Sequence, residues 1–171
     1  MKPSPLLLAG LALCLSCQPQ STQEKAAATA APDSAALLAT RPGRDAPRSA
    51  ADRLVRALYF EHNKTDNPFR EGDRALLEQY FAKPVADQIW EAGKGKTRPG
   101  AVNPLFNAPD RAISQTWVMP AAVAGSRAVV YVTFAHNANP AEIRVDLQQQ
   151  NGRWRITDLL YPDGKRLTDV F

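Results

Sequence analysis

Asn151-Gly152 is the pair that most limits what this chain can become. Asn-Gly takes up the two positive φ values of a two-residue hairpin at little cost, so the flanking segments must pair side by side. Upstream lies Ile143-Arg144-Val145-Asp146-Leu147-Gln148, which alternates apolar and polar residues; downstream lies Trp154-Arg155-Ile156-Thr157, which does the same. A period of two puts alternate side chains on opposite faces of a strand. Both segments therefore imply an antiparallel sheet with one buried face and one wet face. Trp154 and Ile156 fall on the buried face, and Arg155 and Thr157 on the wet one.

Two more strands precede this hairpin. Ile113–Met119 is closed by Pro120, and Ala128–Phe134 is bounded by Gly125 and by a turn through Asn137, Asn139 and Pro140. The last strand runs toward Tyr161 and ends at Pro162-Asp163-Gly164. Helices come first. Ser49 with Asp52 three residues later forms a capping box. Leu54, Val55, Leu58, Tyr59 and His62 then follow one helical stripe. A loop runs from Asn63 to Gly72. A second helix starts near Asp73 and carries Leu76, Leu77, Tyr80 and Phe81. Pro84 suits the first turn of a third, which presents Val85, Ile89 and Trp90 and stops at Gly93. Helices followed by a strand meander define an α+β domain, its N-terminal helices packed on an antiparallel sheet of about four strands.

The N-terminus has a different character. Lys2 precedes Leu6-Leu7-Leu8-Ala9-Gly10-Leu11-Ala12-Leu13, an apolar run too short to span a bilayer core of about 30 Å. That is the shape of a secretory signal. It ends in Leu15-Ser16-Cys17-Gln18, which resembles a bacterial lipobox, with Cys14 where Leu is usual. The resemblance implies a signal peptide over 1–16 and lipidation of Cys17. The protein would then be held in the bacterial envelope, on the outer membrane facing the periplasm, since Gln18 and not Asp follows the cysteine. Gln18 to about Ala50 has no aromatic residue and is rich in Ala, Ser, Thr, Gln and Pro. Such a composition buries too little apolar surface to offset chain entropy. Residues 17–50 are thus expected to form a disordered tether, and residues 51–171 a single domain.

The ending Gly152-Arg153-Trp154-Arg155-Ile156-Thr157-Asp158, with Tyr161-Pro162-Asp163-Gly164-Lys165-Arg166-Leu167, resembles the close of the YbjP-like small bacterial lipoproteins, whose function is uncharacterised. Asn103-Pro104-Leu105-Phe106-Asn107-Ala108-Pro109-Asp110 is similar to that family's segment between helices and sheet, with Asn103 in place of an acid and Pro109 inserted. The resemblance covers about Ala51 to Leu167. It implies a cone-shaped, cystatin-like or nuclear-transport-factor-2-like domain, in which a curved sheet wraps the helices. That fold hosts enzymes, ligand binders and interaction modules alike.

Chemistry is sparse in the sequence. Both cysteines lie in the signal region, and His62 and His136 lack a metal-ligand spacing partner, so no metal and no cofactor is expected. Gly95-Lys96-Thr97 lacks the first glycine and the preceding strand of a phosphate loop. The 21 Lys+Arg and 17 Asp+Glu alternate along the chain, which argues against nucleic-acid binding. Asp110, Phe106 and His62 are the candidate ligand or partner contacts. Trp90, Trp117, Trp154, Tyr131 and Tyr161 are candidates to line the concave face of the sheet, chiefly as core. Two functions follow. One is a non-enzymatic, membrane-held module for an envelope protein partner; the other is a small-ligand binder or hydrolase using the mouth of the cone.

Overall fold

The computed structural model describes residues 33–61, 69, 73–93 and 102–171. The architecture is α+β. Helices α1 (Ser34–Ala39), α2 (Ala50–Arg56), α3 (Arg74–Tyr80) and α4 (Lys83–Gly93) precede the strands, and α5 (Leu167–Val170) follows them. A π-helical turn, Ala57–Glu61, continues α2. The strands are β1 (Ile113–Val118), β2 (Ala122–Ala124), β3 (Arg127–His136), β4 (Asn139–Gln150) and β5 (Arg153–Leu160). They form one five-stranded antiparallel sheet ordered β1-β3-β4-β5, with β2 also on β3. The expected four strands become five because β1 and β2 run end to end along the same edge of β3. Pro120, which closes the first strand, makes a kink there and not an end.

Each hairpin has its turn chemistry. Asn151 and Gly152 both take positive φ, 50° and 75°, as expected. Gly125 at φ 59° leads the β2–β3 turn. Asn137 and Ala138, at 49° and 66°, form the β3–β4 turn, so Asn139 and Pro140 belong to β4 and not to the turn. Pro140 lies opposite Ala135, one step from the His136↔Asn139 pair that closes the hairpin. That position turns its nitrogen away from β3, and β5 reaches only as far as Arg144. No ladder hydrogen bond is lost there.

The core lies on one face of the sheet. Ala128, Val130, Val132 and Phe134 of β3, Ile143, Val145 and Leu147 of β4, and Ile156 and Leu159 of β5 pack with Val55, Leu58 and Tyr59 of the α2 segment, Leu77 and Tyr80 of α3, and Ile89 of α4. A bulge between Asp146 and Leu147, opposite Thr157, lets Ile156 and Leu159 share that face although three apart. The α3–α4 link covers the β5 edge, where the Ala82 N–H donates to the Ile156 carbonyl at 2.8 Å. Trp154 is on the core face as alternation requires, but at its rim, half-buried and packed against the core.

The capping box forms as the sequence implies. The Ser49 N–H and hydroxyl donate to Asp52 Oδ1 at 2.7 and 2.8 Å, and Ser49 Oγ accepts from the Ala51 and Asp52 N–H groups. Asp52 is fully buried.

The tether boundary at residue 50 needs correction. Residues 33–49 cross the outer face of the sheet, the face turned away from the core. There α1 lies against β2 and the start of β3. Arg41 pairs with Glu142 at 2.8 Å and stacks 4.2 Å from the Tyr131 ring centre. Arg48 donates to the Val118 carbonyl at 2.8 Å. Composition missed this because the strap is held by guanidinium groups, not by apolar burial. The earlier part of the tether, with Cys17 and the signal segment, lies outside the described residues. A chain beginning at Ser49 loses Arg48 with the rest of the strap and leaves Asp52 buried without its cation, so it should unfold with at least about 3 kcal/mol less stability than one beginning at Asp33. Equal urea midpoints for the two would show that the strap adds nothing.

Candidate functional site

Trp117 is the centre of the arrangement. Simple alternation from Ile113 would send Trp117 to the core, but the pairing slips between Ser114 and Trp117. Ser114 faces Ala135 and Trp117 faces Thr133, so three steps along β1 match two along β3. The extra residue reverses the faces from there on. Val118 becomes fully buried, and Trp117 points outward with 38% of its surface exposed. Gln115 absorbs the bulge at φ 54°, a left-handed conformation that an L-residue adopts at a cost of about 1–2 kcal/mol. The expectation that Trp117 is core thus fails for a backbone reason. No glycine marks the bulge in the sequence.

Three guanidiniums surround the Trp117 ring. Arg44 and Arg48 of the strap lie 5.7 Å from its centre, and Arg56 of α2 lies 5.9 Å away. Arg56 also lies 5.3 Å from the ring of Phe60, which is 47% exposed. Phe60 sits in the π-helical turn, where the wider winding departs from the α-helical stripe read from the sequence. The strap, a widened helical turn and a bulged edge strand therefore converge on one patch of two exposed rings and three arginines. Cations held against aromatic faces are attracted by the ring quadrupole.

Arg48 has further partners. Besides its bond to Val118, its Nη1 is 3.5 Å from Asp52 Oδ2. That contact is an ion pair too long for a hydrogen bond, and Oδ2 has no hydrogen-bond partner among the described residues. Asp52 Oδ1 also accepts from the Ala121 N–H at 3.4 Å. One buried carboxylate thus joins strap, helix and edge strand.

The same outer face holds a cleft of about 640 Å³ beside α1. Its walls include Leu38 of α1, Arg127 and Val129 of β3, Arg144 and Asp146 of β4, and Asp158 of β5. Arg144 pairs with Asp146 at 2.9 Å, and Arg166 with Asp158. Asp146 and Asp158 are direct neighbours across β4 and β5. Each carboxylate is therefore offset by its own arginine, which relieves the repulsion of like charges on adjacent strands.

The residues singled out from sequence are not brought together. Phe106 is buried, edge-on between Tyr59 at 5.3 Å and Phe134 at 5.1 Å, so it packs the core. Asp110 starts a 3₁₀ turn and accepts a hydrogen bond from Asn103 Nδ2 at 2.8 Å. It braces the loop, while Asn103 Oδ1 accepts from the Leu105 N–H. Two tyrosines tie that loop down: Tyr59 donates to the Leu105 carbonyl at 2.9 Å and Tyr161 to the Pro104 carbonyl at 2.5 Å. Burial pushes the Tyr59 hydroxyl well above its ordinary range, with Tyr161 adding to the shift. Burial likewise raises Tyr161, helped by Asp158 and Asp163. Both therefore stay neutral donors. Of the aromatics expected on the concave face, Tyr161 is buried and Trp90 and Trp154 are half-buried against the core, whereas Tyr131 and Trp117 belong to the outer face. His62 and the 94–100 loop lie outside the described residues. Among the described residues no group of three or more His, Cys, Asp and Glu could hold a metal ion, and no helix is long and apolar enough to cross a membrane.

No family model matches the chain, and no curated protein does. Two solved structures are similar to it, a selenomethionine and a native crystal structure of the type VI effector–immunity complex Tae3–Tai3 from Ralstonia pickettii. The first is 22% identical, with 65% of this chain and 94% of that one covered at a TM-score of 0.48. The second is 21% identical, with 66% and 93% covered at 0.39. A likeness this slight bears on neither mechanism nor partner.

The bulge gives a direct check. Gln115→Gly should stabilise the fold by up to about 1 kcal/mol, since glycine takes positive φ without penalty and repays part of that in unfolded-chain entropy. Trp117 emission should stay that of a half-exposed indole. A loss of stability on that substitution would mean that Gln115 is not held in the left-handed region.

Proposed function

We propose that this chain is a bacterial envelope lipoprotein, anchored through a lipidated Cys17, whose folded part binds a protein partner and performs no catalysis. The observation that carries the reading is the Trp117 patch. Trp and Arg are the residue types that dominate protein–protein hot spots, where a ring and a guanidinium are desolvated together. A bulge that turns a tryptophan out of an available core position costs stability, and such costs persist where function requires them.

The finer fold belongs to the same proposal. The domain is a cystatin-like or nuclear-transport-factor-2-like cone related to the YbjP-like lipoproteins. Supporting this are the helix-then-meander order, the bulges in β1 and between β4 and β5, and the motifs around Asn103–Asp110 and Gly152–Leu167. The outer-membrane, periplasm-facing location rests on the Cys17-Gln18 pair. A second reading, a small-ligand binder or hydrolase, draws on the 640 Å³ cleft beside α1, in place of a cone mouth.

Two measurements test this function. A photo-crosslinking residue at position 117, in cells, should give a discrete adduct that the same residue at Gln148 in the cleft does not. Adducts from 148 alone would favour the cleft. Separately, Cys17→Ser should move the protein from the membrane pellet to the soluble fraction, and a variant that still pellets would rule out the lipid anchor.

A further inference from the structure

Resting on the reading of the outer face as a binding surface, we propose that the partner meets the Trp117 patch with a carboxylate-bearing segment. Its acidic groups are taken by Arg44 and Arg56, and an apolar side chain lies on the Trp117 ring. The argument begins with what the three arginines are free to do. Arg48 is committed to the Val118 carbonyl and to Asp52. Arg44 and Arg56 form no ion pair among the described residues, and each rests beside a ring. By contrast, Arg41, elsewhere on the same strap, already has Glu142. A guanidinium stacked on an aromatic face keeps its N–H edge open, and that edge matches a carboxylate with two parallel hydrogen bonds.

The backbone narrows the mode of contact. β1 is the terminal strand of the sheet and its outer edge is open to an added strand, but a bulge spoils the register such addition needs. Recognition therefore runs through side chains. An anionic bilayer is the less suitable occupant. Of the three arginines around Trp117 two have no ion pair among the described residues, and exposed Asp45 and Glu61, next in sequence to Arg44 and Phe60, repel a continuous negative surface. A chain segment can set its carboxylates over the arginines and avoid the two acids.

The test uses a fluorescent peptide of alternating Glu and Val, read by anisotropy against the full chain. Controls are an alternating Lys and Val peptide and phosphatidylglycerol vesicles. The Glu-Val peptide should bind, more weakly as salt rises. Arg44→Ala and Arg56→Ala should each weaken it about tenfold with melting temperatures unchanged. Arg153→Ala, an exposed arginine at the far hairpin, should bind as the parent does. Equal binding of the Lys-Val peptide, indifference to both patch substitutions, vesicle binding in preference to the peptide, or no binding of the Glu-Val peptide would each overturn the proposal. Adducts at position 117 together with any of those results would leave the binding-module reading standing and remove only the acidic partner.

Discussion

The contact between Arg48 and Asp52 is the constraint on which the outer face depends. Asp52 caps α2 and is fully buried, and among the described residues one of its oxygens has only the Arg48 guanidinium, at 3.5 Å, to offset its charge. A buried carboxylate left alone would be costly, so the strap must bring Arg48 to it. The same guanidinium donates to Val118 and lies beside Trp117. Helix α2, the edge strand β1 and the N-terminal strap are thereby fixed against one another by a single charged group. The Ala121 N–H, just past the Pro120 kink, adds a bond to the same carboxylate.

The two faces of the sheet follow different physics. The inner face is an apolar core in which Tyr59, Phe106 and Phe134 meet edge to face. Their burial removes apolar area from water at about 25 cal/mol per Å², and the two tyrosine hydroxyls carry that order into the Asn103–Asp110 loop. The outer face is held by arginines: Arg41 on Tyr131 and Glu142, Arg44, Arg48 and Arg56 about Trp117. Apart from Arg48 on buried Asp52, these contacts are exposed and contribute little each, so they are the part of the structure that a partner can remodel most cheaply.

What could be read from the sequence was local. The Asn151-Gly152 hairpin, the Ser49–Asp52 capping box and the alternation of β4 depend on neighbours a few residues apart. What could not be read depends on distant partners. The strap has no apolar pattern, because its anchors are Arg41 to Glu142 and Arg48 to Val118. The bulge in β1 is invisible because Gln115 takes a conformation that usually calls for glycine. That one residue decides whether Trp117 or Val118 enters the core, and with it where the candidate site lies. In the Asn103–Asp110 motif Asp110 accepts from Asn103 and Phe106 packs between Tyr59 and Phe134, contacts that brace the loop. A stripe of arginines at Arg44, Arg48 and Arg56, spaced by four and eight residues, was the available signal for the patch.

The central claim is that Arg48 and Asp52 are coupled and that this coupling seats the strap. A double-mutant cycle on stability, with Arg48→Ala, Asp52→Asn and the pair together, measures it directly. Arg48→Ala alone leaves the carboxylate buried without a cation and should cost about 3 kcal/mol or more. Neutralising Asp52 as well should recover part of that, giving a coupling of about 1–3 kcal/mol. Additivity within about 0.5 kcal/mol would show that the two groups do not depend on each other, and that the strap is seated by something else.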